Sequence, residues 1–119
     1  MLYVAAVLIA VLGLAHSFLG ERYILIRLFK RDLPTLFGGA EFTRRTLRFA
    51  WHLTTVLAFG FSALLVQMSG AATVQTLASI VGWTLLIAGL LPLVHTRGRH
   101  LSWVGLFVAG GLCLAWAAS

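Results

Sequence analysis

Carboxylates and cysteines are the scarcest functional groups in this chain. Its 119 residues include three Asp and Glu side chains and one cysteine, Cys113. Three acids are too few for a di-iron carboxylate centre, which takes several carboxylates from facing helices. One cysteine excludes an intramolecular disulfide. The sequence also contains no HxxxH, HExxH or CxxC spacing, so it carries no compact motif for a metal or a metalloprotease site.

Charge is missing from most of the chain. The nine basic and three acidic side chains all lie in two segments, Glu21 to Arg48 and Arg97 to Arg99. The remainder is almost continuously apolar, and the whole chain has 61% hydrophobic residues and a mean hydropathy of +0.99. This composition excludes an ordinary soluble domain. Because the apolar runs are continuous rather than alternating, they also exclude a closed β-barrel.

Four apolar stretches are long enough to cross a bilayer, which takes about 20 residues per helix. They are Leu2–Leu19, Leu47–Ser69, Ala72–Val94 and Leu101–Ala118. The sequence therefore predicts an all-α polytopic membrane protein, a four-helix transmembrane bundle that forms one domain over residues 1–119. Between the first two helices, the segment Glu21 to Leu33 has a basic face and an apolar face, which predicts an amphipathic helical connection on the cytoplasmic surface.

The distribution of basic residues predicts the orientation. The first and third connections carry an excess of Arg and Lys, and the second connection carries no charge. The positive-inside rule then places both basic connections in the cytoplasm and both chain ends in the periplasm of an inner membrane. The net charge of +6 lies beside membrane helices, where it favours contact with anionic lipid headgroups rather than with nucleic acid.

In this orientation, ionisable groups from distant parts of the chain reach one layer at the cytoplasmic end. Three histidines and a carboxylate match the ligands of a transition metal such as zinc, and two histidines can hold a haem between helices. The predicted metal ligands are His16, His52, His95 and Glu21. Polar residues on the neighbouring helix faces predict further contacts to a bound ligand or cofactor. They are Ser17, Arg45, Arg48 and Thr55.

Two other interpretations of these residues stay open at this point. In a purely structural one, the histidines form hydrogen bonds across helices and Glu21 pairs with Arg45 or Arg48. The same interpretation has Arg97, Arg99 and His100 in contact with lipid phosphates. In the other, hydroxyl side chains line a pore in an oligomeric channel or transporter. The predicted lining residues are Thr55, Ser62, Thr76 and Ser79. Enzymatic activity is left undecided, although adjacent positions on a helix, such as His16 and Ser17, do not form a nucleophile–base pair.

Small residues on the predicted fourth helix bear on oligomerisation. They recur every four residues, a spacing that brings them to one face of a helix. These residues are Gly105, Ala109, Cys113 and Ala117. Such a face lets helix backbones approach closely in a membrane. The pattern is consistent with packing inside the bundle, and it also allows contact with a second copy in a homo-oligomer.

Overall fold

The computed structural model describes residues 1–119 and is entirely helical, which confirms the predicted all-α class. Helix α1 covers Leu2–Leu28 and contains a π-helical segment at Gly20–Leu25. Helix α2 covers Ala40–Met68, α3 covers Val74–Thr96, and α4 covers Ser102–Ala117. Three of these helices, α1 to α3, are long and apolar enough to cross a membrane, whereas α4 has 16 residues.

The helix ends differ from the predicted spans at the charged connection. Helical structure continues from Leu19 directly to Leu28 as part of α1, and residues 31–39 are not helical. Helix α2 begins at Ala40, seven positions before the apolar stretch, and its first turns carry Arg44, Arg45 and Arg48. Hydropathy marks only the apolar part of a helix, so the polar turns of α2 were not included in the predicted span.

The helices lie in an open row, in chain order. Each helix packs against its neighbours in the chain, and α1 shares no contact with α4. The principal dimensions of 51 × 31 × 14 Å describe a single layer of helices. Consecutive helices are antiparallel. Ser62 near the end of α2 donates a hydrogen bond to the Ala6 carbonyl near the start of α1, and Arg45 near the start of α2 donates to the His95 carbonyl near the end of α3. Helices α3 and α4 meet at Gly82 with Gly110 and at Gly89 with Phe107. Both basic connections therefore lie at the same end of the row.

Close approach of α3 and α4 depends on two glycines. Gly82 and Gly110 face each other, and a Cβ built at Gly110 would lie 2.8 Å from the Gly82 carbonyl oxygen. Membrane helices pack closely at such positions because small residues let the backbones approach. Gly105 of the predicted small-residue face has open space around it. Contact of that face with a second copy stays a prediction.

Candidate functional site

The polar groups of α1 and α2 converge on the Glu21 carboxylate. Arg48 Nη2 lies 2.8 Å from Glu21 Oε1, and Arg48 Nε donates to Oε2 at 3.3 Å. His52 Nε2 lies 3.2 Å from the same Oε2 atom. Each of two guanidinium nitrogens thus faces one carboxylate oxygen. Arginine forms this two-point contact because its N–H donors lie in a plane, whereas lysine has a single ammonium group.

A chain of hydrogen bonds continues from His52 into the row of helices. His52 Nδ1 lies 2.7 Å from Ser17 Oγ, which lies 2.7 Å from Thr55 Oγ1. Thr55 Oγ1 donates to the Gly13 carbonyl oxygen at 3.1 Å. We call Ser17, Glu21, Arg48, His52 and Thr55 the α1–α2 cluster. It leads from partly exposed groups to Thr55, which is buried, and it ends on a backbone carbonyl rather than crossing the membrane.

The directions of these hydrogen bonds determine how many ring protons His52 must carry for all of the bonds to form. Thr55 donates to Gly13, so its oxygen accepts from the Ser17 hydroxyl. The Ser17 oxygen then accepts from His52 Nδ1–H, and His52 needs a second N–H to donate to Glu21. A neutral imidazole has one N–H, and an imidazolium has two. All four bonds therefore form together only when His52 carries both ring protons.

The π-helical segment positions the acid of this cluster. Glu21 is the second residue of the segment Gly20–Leu25. Insertions of this kind are rare and occur often at functional sites, because they change the direction of the side chains that follow. Gly20, just before Glu21, contacts the indole ring of Trp51 on α2. The two helices are therefore in close contact one residue from the ion pair.

His16 lies outside the α1–α2 cluster. Its ring stacks on Trp51 with 4.5 Å between centroids and 7° between planes. Trp51 Nε1–H in turn donates to the His16 carbonyl oxygen at 3.0 Å. The Nε2 atom of His16 is buried without a hydrogen-bond partner. The sequence did not predict that Trp51 joins α1 to α2. The only signal for this role was its position directly before His52.

His95 on α3 and Arg45 on α2 contact each other through the His95 backbone. The His95 Nδ1 atom is 2.9 Å from the Leu91 carbonyl oxygen of its own helix. Arg45 Nε donates to Glu41 at 2.7 Å, and Arg45 Nη1 donates to the His95 carbonyl oxygen at 3.4 Å. Neither side chain reaches Glu21, which pairs with Arg48. The structural interpretation predicted that Glu21 pairs with Arg45 or Arg48, and in the structure it pairs with Arg48.

The predicted metal ligands do not form one shell in this structure. Only His52 and Glu21 come together, and no group of three or more His, Cys, Asp or Glu side chains is placed to hold a metal ion. The physical reason is that His16 stacks on Trp51 and His95 bonds to its own helix. Both ring nitrogens of His52 are engaged as well, so the predicted haem pair His16 and His52 would need other side-chain positions.

The hydroxyl groups predicted to line a pore have partners within the row. Thr55 and Ser62 donate to carbonyl oxygens of α1, which joins the first two helices. Ser79 donates to the Gln75 carbonyl oxygen of its own helix, and the hydroxyl groups of Thr76 and Thr73 lie 2.9 Å apart. A water-filled pore lined by these groups would have to replace those hydrogen bonds.

Ser17, His52 and Glu21 follow one another in the order of a nucleophile, a base and an orienting acid. The Ser17 hydroxyl, however, is shared with Thr55. The cavities along the row are lined by other residues of α1 to α4. The Ser17 hydroxyl is thus engaged within the row and does not line any of these cavities.

No protein-family model, curated protein or solved structure matches this chain.

Proposed function

We propose that this chain is an inner-membrane protein with four spans, with both basic connections in the cytoplasm and residues 1 and 119 on the periplasmic side. Three helices with the length and composition of membrane spans support this proposal. The short helix α4 is apolar and packs along α3, so we include it as the fourth span. The charge of the two connections at one end of the row supports the orientation.

We propose further that the α1–α2 cluster binds a monoanionic ligand, such as a carboxylate, at the cytoplasmic boundary of the membrane. The observation that carries this proposal is the pairing of Glu21 with both Arg48 and His52. In the fully hydrogen-bonded state, one carboxylate faces a guanidinium and an imidazolium. The cluster then has one surplus positive charge, which a monoanion would neutralise.

The proposed binding groups are accessible and held in place. The side chains of Arg48, Glu21 and His52 are 36%, 30% and 25% exposed. The Arg48 guanidinium carbon lies 4.9 Å from the centre of the Phe29 ring, and a cation over an aromatic ring is held by its quadrupole. A guanidinium fixed by both Glu21 and Phe29 loses little further freedom when it binds an anion.

The test uses the full chain in nanodiscs with ¹⁵N-labelled histidine and sodium acetate as the probe, against sodium chloride at equal ionic strength. We expect a saturable shift of the His52 ring signals with acetate only. Arg48→Gln should weaken acetate binding about tenfold or more, because a charged hydrogen bond contributes about 1.5–3 kcal/mol. Arg27→Gln is the control, since Arg27 packs over Tyr23 on the exposed side of α1.

Two results would overturn the proposal. One is an equal response to acetate and chloride, and the other is an equal loss in Arg48→Gln and Arg27→Gln. Zinc is titrated in parallel as a third test, because a metal site of His16, His52, His95 and Glu21 stays a prediction. Binding of one zinc ion that disappears in His52→Ala and survives in Arg48→Gln would replace the anion site with a metal site.

A further inference from the structure

A second polar site lies between the first turns of α2 and the connection of α3 and α4, beside the α1–α2 cluster. A cavity of about 200 Å³ separates the first turns of α2 from the connection between α3 and α4. We call it the arginine pocket. Its lining residues are Gly38, Glu41, Phe42, Arg45, Thr96, Arg97 and Arg99. We propose that the arginine pocket binds the terminal phosphate of a phosphate monoester.

The charge of the pocket carries this inference. Three arginines line it, Arg45, Arg97 and Arg99, and the one acidic lining residue is Glu41. Glu41 is moreover shared, since its carboxylate lies 2.7 Å from both Arg44 and Arg45. The lining residues therefore have a surplus of two positive charges. A phosphate monoester carries about −1.5 to −2 at neutral pH, whereas a phosphate diester carries a single negative charge.

Guanidinium groups also fit this ligand by shape. Their planar array of N–H donors matches the oxygens of a phosphate and can bind two of them at once. Helix α2 begins beside the pocket at Ala40, and no side chain caps its first turn. The positive end of the helix dipole at such a position favours an anion. The helix end adds positive potential to that of the arginines, and the arginines form the proposed site.

Hydrogen bonds fix the wall that α3 and α4 contribute. The Thr96 hydroxyl donates to the Pro92 carbonyl oxygen at 2.6 Å and accepts from the His100 backbone N–H at 3.0 Å. Trp103 Nε1 donates to the Gly98 carbonyl oxygen at 3.2 Å. The connection is thus tied at both ends, so Arg97 and Arg99 extend from an ordered backbone.

Arg97 occupies a backbone position that usually belongs to glycine. It ends α3 in the left-handed region, with φ 53° and ψ 43°, and the glycine of this turn, Gly98, comes one residue later. Helices that end in this conformation most often have glycine there, because a Cβ is disfavoured. An arginine at this position works against backbone preference. A charged residue that lines the pocket gives a reason for an arginine at this position.

The ligand phosphate has two sources, a lipid headgroup or a soluble molecule, and the experiment separates them. The full chain is reconstituted in nanodiscs that contain phosphatidic acid, a lipid monoester, or phosphatidylglycerol, a diester of single charge. Bound lipid is counted by native mass spectrometry. Inorganic phosphate is then added to the phosphatidylglycerol discs and its binding is followed by ³¹P NMR.

We expect the wild-type chain to retain phosphatidic acid or to bind inorganic phosphate saturably, and to show at least a tenfold preference over phosphatidylglycerol. Arg97→Gly should reduce that binding at least tenfold. Because glycine suits the left-handed backbone, this variant should melt no lower than wild type, which separates lost binding from misfolding. Arg99→Gln should reduce binding in the same way, with a melting temperature close to wild type.

Arg31→Gln is the matched control, since Arg31 is exposed on the other basic connection and outside the pocket. It should change phosphate binding less than twofold. Retention of phosphatidic acid alone identifies a lipid ligand, and binding of inorganic phosphate alone identifies a soluble one. Binding of neither, no preference for the monoester, or equal losses in Arg31→Gln and Arg97→Gly would overturn the proposal. Arg48→Gln should leave phosphate binding unchanged, so the arginine pocket and the α1–α2 cluster are tested separately.

Discussion

Gly20 of α1 lies directly against the indole ring of Trp51 on α2, and a side-chain carbon at position 20 would overlap that ring. The same indole stacks on His16 and donates its N–H to the His16 carbonyl oxygen at 3.0 Å. This contact sets the distance between the helices one residue before Glu21. It therefore allows the Glu21 carboxylate to reach Arg48 and His52.

Gly20→Ala should separate the two helices at this contact. Overpacking of this kind costs about 1–3 kcal/mol, and we expect that loss in the free energy of unfolding measured in detergent micelles. Gly105→Ala is the control, because a Cβ at Gly105 meets only open space. That variant should be neutral or slightly more stable, since alanine favours helix. Equal stabilities of the two variants would contradict the close contact of Gly20 with Trp51.

Thr55→Val should weaken the contact between α1 and α2 by removing a hydroxyl that binds both Gly13 and Ser17. Hydrogen bonds between membrane helices contribute about 0.6 kcal/mol on average and up to about 1.7 kcal/mol. We expect a loss in this range. Thr54→Val is the matched control, because Thr54 is exposed and donates only to the Trp51 carbonyl oxygen of its own helix. A loss in Thr54→Val as large as that in Thr55→Val would be incompatible with the hydrogen-bond chain.

Glu21 and Arg48 should show a measurable coupling energy. A double-mutant cycle of Glu21→Gln and Arg48→Gln isolates their interaction. Both side chains are about one-third exposed, so water and salt screen the pair and we expect a coupling of about 0.5–1 kcal/mol that decreases with added salt. A coupling of zero at low ionic strength would show that the ion pair does not form in solution.

Gly110→Ala and Gly111→Ala test the packing of α3 against α4 at neighbouring positions. A Cβ at Gly110 would lie 2.8 Å from the Gly82 carbonyl oxygen and 3.0 Å from a Leu86 methyl carbon, whereas a Cβ at Gly111 meets open space. We expect Gly110→Ala to lower stability by about 1–3 kcal/mol and Gly111→Ala to leave it nearly unchanged. The same unfolding assay measures both, and a reversed order would place the other face of α4 against α3.

The sequence predicted the helical class, the four apolar stretches and the meeting of polar residues at one end of the row. These features follow from hydropathy and from charge spacing along the chain, which do not depend on how the helices pack. Hydropathy alone does not show the polar ends of α1 and α2. The turn residues Gly38-Gly39 predicted a start of α2 near Ala40, and the amphipathic pattern after Glu21 predicted that the first helix continues past Leu19, as it does to Leu28. The turns involved are helical but polar, and they do not contribute to an apolar run.

The partners of each histidine could not be predicted, because they depend on the rotation of each helix about its own axis. Sequence spacing predicts a shared level for His16, His52 and His95, but it does not predict the direction of their side chains. In the structure His52 faces Ser17 and Glu21, His16 faces Trp51, and His95 bonds to its own helix. Helix rotation is set by contacts such as that of Gly20 with Trp51, and a single sequence does not show which residues meet.

Cysteine labelling tests the membrane placement on which both proposed sites depend. Lys30→Cys, Ala71→Cys and Arg99→Cys are introduced one at a time, each at an exposed position and with Cys113 replaced by alanine. An impermeant maleimide added to intact cells should label position 71, and should label positions 30 and 99 only after the inner membrane is opened. Labelling of one basic connection while the other stays protected would contradict a shared cytoplasmic face.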